Sequence, residues 1–294
     1  GESEGFVSAR VEREDGVITT KIGLAPGKKI LRLDGQTVRA TDLARVCAAV
    51  LITPEDAELV HGSPSARRGY LDSLLSRLSP RYALLLREYN RVVEQRNANL
   101  KGHPDERSLE VWTERFLDLG GEVGKLRGRA VARIAELAGG AYSDISGGES
   151  SGDKALGVAL AQTLSEHLHE ALVASRGEER ARGVTVVGPH RDDLRLELDG
   201  QSIAAYGSRG EARTTALALR VAEYRLLLDK HGEAPVLLLD DFTAELDEGR
   251  RSYLLALAHS TPQAIVSGTE APPRYRRHLR VLRGLFHDEA HKQP

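Results

Sequence analysis

Pro235-Val236-Leu237-Leu238-Leu239-Asp240-Asp241 decides how the rest of the chain is read. Four apolar residues, Val236 to Leu239, make a strand expected to be buried on both faces, whose C-terminal end delivers two adjacent acids to a crevice. The two carboxylates divide the work. Asp240 is placed to hold a Mg²⁺ ion, which keeps most of its water and takes few protein ligands. Asp241 points to the other side, where it orients or deprotonates an attacking water. The plain alternative is a strand ending in a polar turn, and the six residues after Asp241 weigh against it.

Phe242-Thr243-Ala244-Glu245-Leu246-Asp247 resembles the D-loop (x-E-L-D) that comes after the Walker B strand in ABC-type ATPases. The resemblance implies that Asp247 helps to join two subunits that sandwich ATP. Upstream, Tyr206-Gly207-Ser208-Arg209-Gly210-Glu211-Ala212-Arg213-Thr214 opens a helix, and Gly210 lies 30 residues before Asp240. Ser208 offers a hydroxyl, Gly210 lets backbone N–H groups approach closely, and a helix N-terminus favours an anion. Alone, Ser-x-Gly is no more than a capped helix. At this spacing it resembles the ABC signature, which implies that Ser208, Arg209, Gly210 and Glu211 meet the γ-phosphate of ATP held by the opposing subunit. Glu211 stands where Gln is common. Beyond the acid pair, Gln263 to Thr269 reads as the next strand and its switch end. Most ABC enzymes place His there; here Thr269 or Ser267 is left to sense the γ-phosphate, and neither can act as a base. A phosphate loop, G-x-x-x-x-G-K-[ST] after a strand, is absent from the sequence. Gly27-Lys28 and Gly124-Lys125 lack both the earlier Gly and the following Ser/Thr.

Outward from this centre the chain divides. Residues 5–40 read as a β-meander with turns at Asp15-Gly16 and Asp34-Gly35. A short helix and the strand Ala48 to Ile52 come next. From residue 65 the period becomes helical: Leu71, Leu74, Leu75, Leu78, Tyr82, Leu85, Leu86, Tyr89 and Val93 share one face, with a new start at Ser79-Pro80. Leu109, Trp112, Phe116, Leu119, Val123, Leu126 and Ala130 form a heptad seam. Gly120, Gly121, Gly124 and Gly128 interrupt it, read as permitting close helix approach. A further helix is expected from Ala159 to Ser175, and Val184 to Val187 as a strand. The fold class is therefore α/β: an ABC-type ATPase lobe with a mixed sheet and β-meander, residues 1–63 and 180–294, split by an all-helical second lobe, residues 64–179.

Composition sets the outer limits. The 294 residues carry a charged fraction of 29% and a formal net charge of −2, so any nucleic-acid contact rests on local basic clusters. The single Cys47 forms no internal disulfide and reads as a small core residue in a reducing compartment. No run approaches the roughly 20 apolar residues of a membrane span, and a cytoplasmic location is expected. The chain contains no Met and begins at Gly1 inside a strand-like segment, which reads as part of a longer polypeptide.

Further segments narrow the class. Gly188-Pro189-His190-Arg191-Asp192-Asp193-Leu194 comes after the expected strand. Thr53-Pro54-Glu55-Asp56 leads through Gly62-Ser63-Pro64 to Arg67-Arg68-Gly69-Tyr70-Leu71-Asp72, and Gln95-Arg96-Asn97-Ala98 closes the first long helix. In this order, with the signature and acid-pair segments, nearly the whole chain resembles the RecF family of bacterial recombination mediators. RecF-like proteins start with a strand, a phosphate loop and a helix; that block is expected before Gly1. The resemblance implies an SMC-like ABC ATPase that forms an ATP-dependent homodimer and hydrolyses ATP slowly as a timer for release. It further implies binding to double-stranded DNA, with a preference for gapped or junction DNA, and loading of RecA together with RecR and RecO.

Other residues carry weaker readings. Arg67 and Arg68 open a helix and are candidates for DNA phosphates, a solvated helix start being the equal alternative. Arg274, Arg276, Arg277, Arg280 and Arg283 form a C-terminal basic cluster with the same two readings. His190 and Arg191 are expected to order their loop; no nucleophile accompanies His190. His167 and His169 lack metal-ligand company. Two other functions compete with the DNA-binding ATPase. One is a transporter-type nucleotide-binding subunit, disfavoured by the missing switch His. The other is a DNA- or partner-binding fragment without ATPase activity of its own.

Overall fold

The computed structural model of the chain describes residues 4–13, 16–101, 105–147, 154–162, 167–241 and 246–289. Asp15, residues 148–153 and the first four residues of the D-loop pattern, 242–245, lie outside them. The chain opens on an antiparallel meander, β1 (Gly5–Arg13), β2 (Gly16–Ala25), β3 (Lys28–Leu33) and β4 (Gln36–Val38), paired in that order. The Asp34-Gly35 turn closes β3 onto β4, with both residues at positive φ and the Asp34 carboxylate accepting from the Thr19 N–H at 2.8 Å. This meander buries little beyond Leu31 and Thr20.

After α1 (Ala40–Val46) comes β5 (Ala49–Ile52), then a 3-10 turn over Pro54–Ala57, α2 (Glu58–His61) and three longer helices, α3 (Pro64–Leu78), α4 (Pro80–Lys101) and α5 (Glu106–Ser146). Ser63 and Ser79 accept backbone N–H groups from Ala66 and Tyr82, and a Pro comes directly after each serine. The 41-residue α5 is the spine of this part. Its deepest line runs Phe116, Gly120, Val123, Arg127, Val131, Ile134, Ala138, Ala141 and Ile145, stepping by threes and fours. Of the expected seam only Phe116 and Val123 lie on that line; Leu119, Leu126 and Ala130 flank it, half-buried. The deep line contains a glycine and an arginine, which an apolar-only reading passes over.

Two expectations fail in the next stretch. The region 64–179 is not all helical: β6 (Leu156–Ala161) occupies the start of the expected helix and pairs antiparallel with β7 (Asp193–Leu198), which pairs with β8 (Gln201–Ser202). Leu156 and Val158 alternate inward, a period-2 pattern in a segment too short to display a helical one. The helix α6 begins later, at Leu168, and ends at Arg182. Val184 to Val187 is not a strand either. Its backbone is bonded by side chains: the Asn97 amide oxygen accepts from Thr185 N at 2.7 Å, and the Glu179 carboxylate accepts from Val186 N at 3.3 Å.

The chain ends with α7 (Ile203–Tyr206), α8 (Arg209–His231), β9 (Val236–Leu239), α9 (Glu248–Ser260), β10 (Ala264–Val266) and an exposed hairpin of β11 (His278–Leu282) and β12 (Leu285–Glu289). A parallel sheet runs β10-β9-β5. Val50, Ile52, Leu237 and Leu239 form its buried face, while in the row Leu51–Leu238–Ile265 both outer residues are exposed. Within the described residues β9 is thus covered on one face, not both. The helix α8 is buried on most sides and packs against α5, β5 and the turn after β5. One contiguous core of buried side chains joins α3, α4, α5, the β6–β7 pair, α8, β9 and α9.

Candidate nucleotide and DNA site

The acid pair sits at the end of its strand. The N–H of Asp240 donates to Ile52 O at 2.9 Å, which aligns the ends of β5 and β9. Ser267, just past β10, donates its hydroxyl to the Asp240 carboxylate and accepts from Asp241 N at 3.0 Å. Asp241 is left-handed, with φ 47°, so the chain turns sharply directly after Asp240. Both are exposed. They border a small pocket of about 50 Å³, shared with Thr53, Pro54, Asp56, Arg213, Leu217 and Leu246. Thr269 lies exposed two residues beyond Ser267, whose hydroxyl contacts both acids.

The pocket wall is braced by charges that a scan for motifs passes over. Asp56 accepts from Thr53 N at 3.0 Å and from Arg220 at 2.6 Å, and Arg220 also reaches Glu223 at 2.8 Å while lying 5.5 Å from the Tyr70 ring centre. Arg77 pairs with the same Glu223 and donates to Ala49 O at 3.1 Å. Thus α8 is tied to both ends of β5. The i, i+3 pair Arg220 and Glu223 inside an apolar helix was the available signal.

Around the start of α8, Ser208 and Glu211 form a reciprocal cap: Glu211 N donates to Ser208 Oγ at 3.2 Å, and Ser208 N to the Glu211 carboxylate at 2.7 Å. Lys154 donates to Glu211 at 2.6 Å. That ammonium and the Ser208 N–H hold the Glu211 carboxyl down at about 2. Arg209 is exposed at the first helical position. Asp247 caps α9 through Arg250 N at 2.9 Å and pairs with the Arg250 guanidinium. The same guanidinium donates to Gly210 O at 2.9 Å and to Thr214 Oγ1 at 2.7 Å. A Cβ on Gly210 would meet Arg250 Nη2 at 3.1 Å. Ser208, Gly210, Glu211, Asp247, Arg250 and Lys154 line a cleft of about 710 Å³ closed on its far side by the C-terminal turn of α5.

The Gly188–Asp192 loop is held by buried polar groups. Gly188 has φ 112°, and a Cβ there would meet Phe116 Cζ at 2.6 Å, so only glycine fits. His190 Nε2 donates to Thr185 O at 3.0 Å, leaving Nδ1 to accept from the Tyr89 hydroxyl at 2.8 Å. Burial lowers the His190 pKa to about 4. With both nitrogens engaged, His190 orders the loop. Arg127, buried to 1%, donates to Asp72 at 2.8 Å and 2.9 Å, to Asp192 at 2.9 Å and to Pro189 O at 2.6 Å. Burial pushes the Asp192 carboxyl up to about 6 against the pull of Arg127. Arg96 is similarly buried, forking onto Glu179 at 2.9 Å and 2.7 Å.

The expected DNA contacts divide. Arg67 is not at an exposed helix start: it is buried, grips Asp193 at 2.7 Å and 2.9 Å, and donates to Gly62 O at 2.8 Å. Arg68 is half-buried and donates to Asp192 O at 2.7 Å. Arg274, Arg276 and Arg277 are exposed beside and at the start of the β11–β12 hairpin, where Arg277 pairs with Asp288 at 2.7 Å. Among the described residues no helix is long and apolar enough to cross a membrane, and no group of three or more His, Cys, Asp or Glu is arranged to hold a metal ion.

Parallel strands ending in an acid pair, a serine-capped helix and an aspartate-capped helix tied to it by one arginine define the class: a mixed α/β fold of the ABC-type ATPase kind. No model of a known protein family matches the chain. DNA replication and repair protein RecF of Deinococcus radiodurans is 50% identical over 287 residues, covering 97% of this chain and 78% of that protein. RecF of Deinococcus deserti is 47% identical over 289 residues, covering 98% and 79%. RecF of Chloroflexus aurantiacus is 39% identical, covering 87% and 72%. The chain belongs to the RecF family. Among solved structures it is similar to the recombination mediator protein RecF with ATP in the RecFOR pathway, at TM-score 0.87 and 25% identity over 98% of this chain and 81% of that one. The ATPrS form of RecF superposes at TM-score 0.85 and 24% identity, over the same shares of each chain, a likeness of fold.

Proposed function

We propose that the chain carries the signature and acid-pair segments of an ATP-switched, DNA-binding repair protein. Two copies would face each other, each offering Ser208, Arg209, Gly210, Glu211 and Asp247 to the nucleotide held by the other, with Thr269 near the γ-phosphate. The observation that carries the reading is the exposed acid pair at the end of β9, clamped by Ser267 and Ile52 O. Asp240 and Asp241 suit a Mg²⁺ ion that keeps most of its own water, since two adjacent carboxylates open to solvent leave its remaining positions to water and phosphate. Asp240 would hold that ion, which when bound offsets phosphate charge. Asp241, next to it at the end of β9, would orient the attacking water and accept its proton.

Family membership supports duplex and gapped DNA as the ligand and RecR, RecO and RecA as the working partners. The lobes in this reading are residues 1–63 with 180–294, and 64–179. Arg274, Arg276 and Arg277 are the better DNA candidates, because Arg67 and Arg68 already serve the Asp192–Asp193 loop. A second reading is DNA or partner binding without hydrolysis by this chain.

Sedimentation velocity with and without ATP, paired with retention on duplex DNA, separates the two. The first reading expects ATP to drive dimerisation and DNA retention, and Asp241→Asn to lengthen retention. DNA binding indifferent to ATP selects the second. An unchanged lifetime for Asp241→Asn removes the role given to that residue.

A further inference from the structure

We infer that Arg250 is a positioning residue that makes the start of α8 and the Asp247 cap of α9 move as one body. This rests on the proposed ATP switch, in which those two segments together meet nucleotide on the opposing copy.

A guanidinium presents five N–H groups in a fixed planar fork, and Arg250 uses that fork in three directions at once. Nε donates to Thr214 Oγ1 at 2.7 Å, Nη2 to Gly210 O at 2.9 Å, and Nη1 to the Asp247 carboxylate. Two of these acceptors belong to the first turns of α8 and the third caps α9. Thr214 in turn donates its hydroxyl to Gly210 O at 3.0 Å, so the carbonyl under the signature glycine has two side-chain donors. Asp247 is committed on both oxygens, one to Arg250 N and one to the guanidinium. The Arg250 side chain is 20% exposed, dry enough for these bonds to matter, and its open edge lines the cleft at the Ser208–Gly210 end.

A lysine cannot replace this. Its single ammonium can satisfy Asp247 or Gly210 O, but it lacks a planar fork that reaches both together with Thr214. Gly210 also belongs to the device, because a Cβ at that position would lie 3.1 Å from Nη2, a tighter approach than side chains ordinarily make.

The consequence is coupling. A phosphate that draws the Ser208–Gly210 turn toward itself drags Gly210 O, and with it Arg250 and Asp247. Neither segment reaches its place on the partner copy without the other.

The test compares the unsubstituted protein with Arg250→Ala, Arg250→Lys, Thr214→Val and the Arg250→Ala/Thr214→Val pair, reading ATP-driven dimerisation by sedimentation and thermal melting without ATP. The expected result is a loss of about tenfold in ATP-driven dimer affinity for Arg250→Ala, a smaller loss for Arg250→Lys, and a Thr214→Val loss that does not add to that of Arg250→Ala. A lowered melting temperature with unchanged ATP response would mean that Arg250 only props the fold, and would overturn the inference. So would full additivity of the two single losses. Failure of the unsubstituted protein to dimerise with ATP removes the functional reading first, and the coupling with it, whereas dimerisation indifferent to residue 250 removes the coupling alone.

Discussion

At the scale of single residues, the buried charges are more informative than the motifs. Arg127 satisfies two carboxylates and a carbonyl from a position with almost no solvent contact. Replacing it by Met leaves Asp72 and Asp192 without their counter-charge, and a loss of about 3–5 kcal/mol in urea unfolding free energy is expected. A loss below about 1 kcal/mol would mean that water reaches those acids. His190 gives a pH signature. Its folded pKa of about 4 lies below the ordinary 6.5, so the unfolded chain binds the proton first between those values. Stability from this site therefore rises as pH climbs from 4 to 6.5 and is flat above. The unfolding free energy of the unsubstituted protein minus that of His190→Gln should grow across that window, by on the order of 2 kcal/mol. Asp192, raised to about 6, pulls the opposite way between pH 4 and 6, which is why the difference between the two proteins is the quantity to follow. Sequence alone places Arg96, Asp72 and His190 in recognisable segments. It does not reveal that their partners are Glu179, Arg127 and Tyr89, because such pairings join positions far apart in the chain and leave no local pattern.

At the scale of elements, periodicity serves where one face alone is buried and misleads where both sides matter. The meander, the Ser79-Pro80 start and the acid-pair strand are legible in the sequence. The helix α5 is legible as a helix but its inner line is not, since Gly120 and Arg127 occupy places where an apolar residue is expected. The strand β6 reads as helix because six residues of Leu, Gly, Val and Ala carry no decisive period. Glycines in α5 provide a paired test. A Cβ on Gly140 meets nothing within 4 Å, so Gly140→Ala should raise stability by about 0.5–1 kcal/mol through helix propensity. At Gly120 the added carbon would lie 3.1 Å from Leu168 Cδ2 and 3.3 Å from Tyr89 Cε2. Gly120→Ala should therefore forfeit that gain and lower the denaturation midpoint. If the two variants shift the midpoint equally, close packing at Gly120 is refuted.

At the scale of the whole molecule, one core reaches from the helices α3, α4 and α5 to the parallel sheet, while the two hairpin-rich ends barely share it. Elements that bury little apolar surface open at low free energy. Amide hydrogen exchange should therefore be fast in β1, β2 and β11–β12, and slowest in α5 and α8. Protection of β1 equal to that of α5 would contradict this division. The change of period near residue 65 is visible in the sequence, but the return of strand at β6 is not, so the helical stretch is shorter than the pattern suggests.

Gly188 carries a final implication. Its backbone lies in a region that L-residues avoid, and the space a side chain would need is filled by the Phe116 ring and the Tyr89 hydroxyl. These are independent barriers, one of handedness and one of volume. Trimming Phe116 relieves only the second. In a library of all single substitutions, position 188 should accept none of the alternatives, and no single companion change should reopen it. In mutational terms the loop is a locked step, which homologues can reach or leave only by rebuilding the backbone around it.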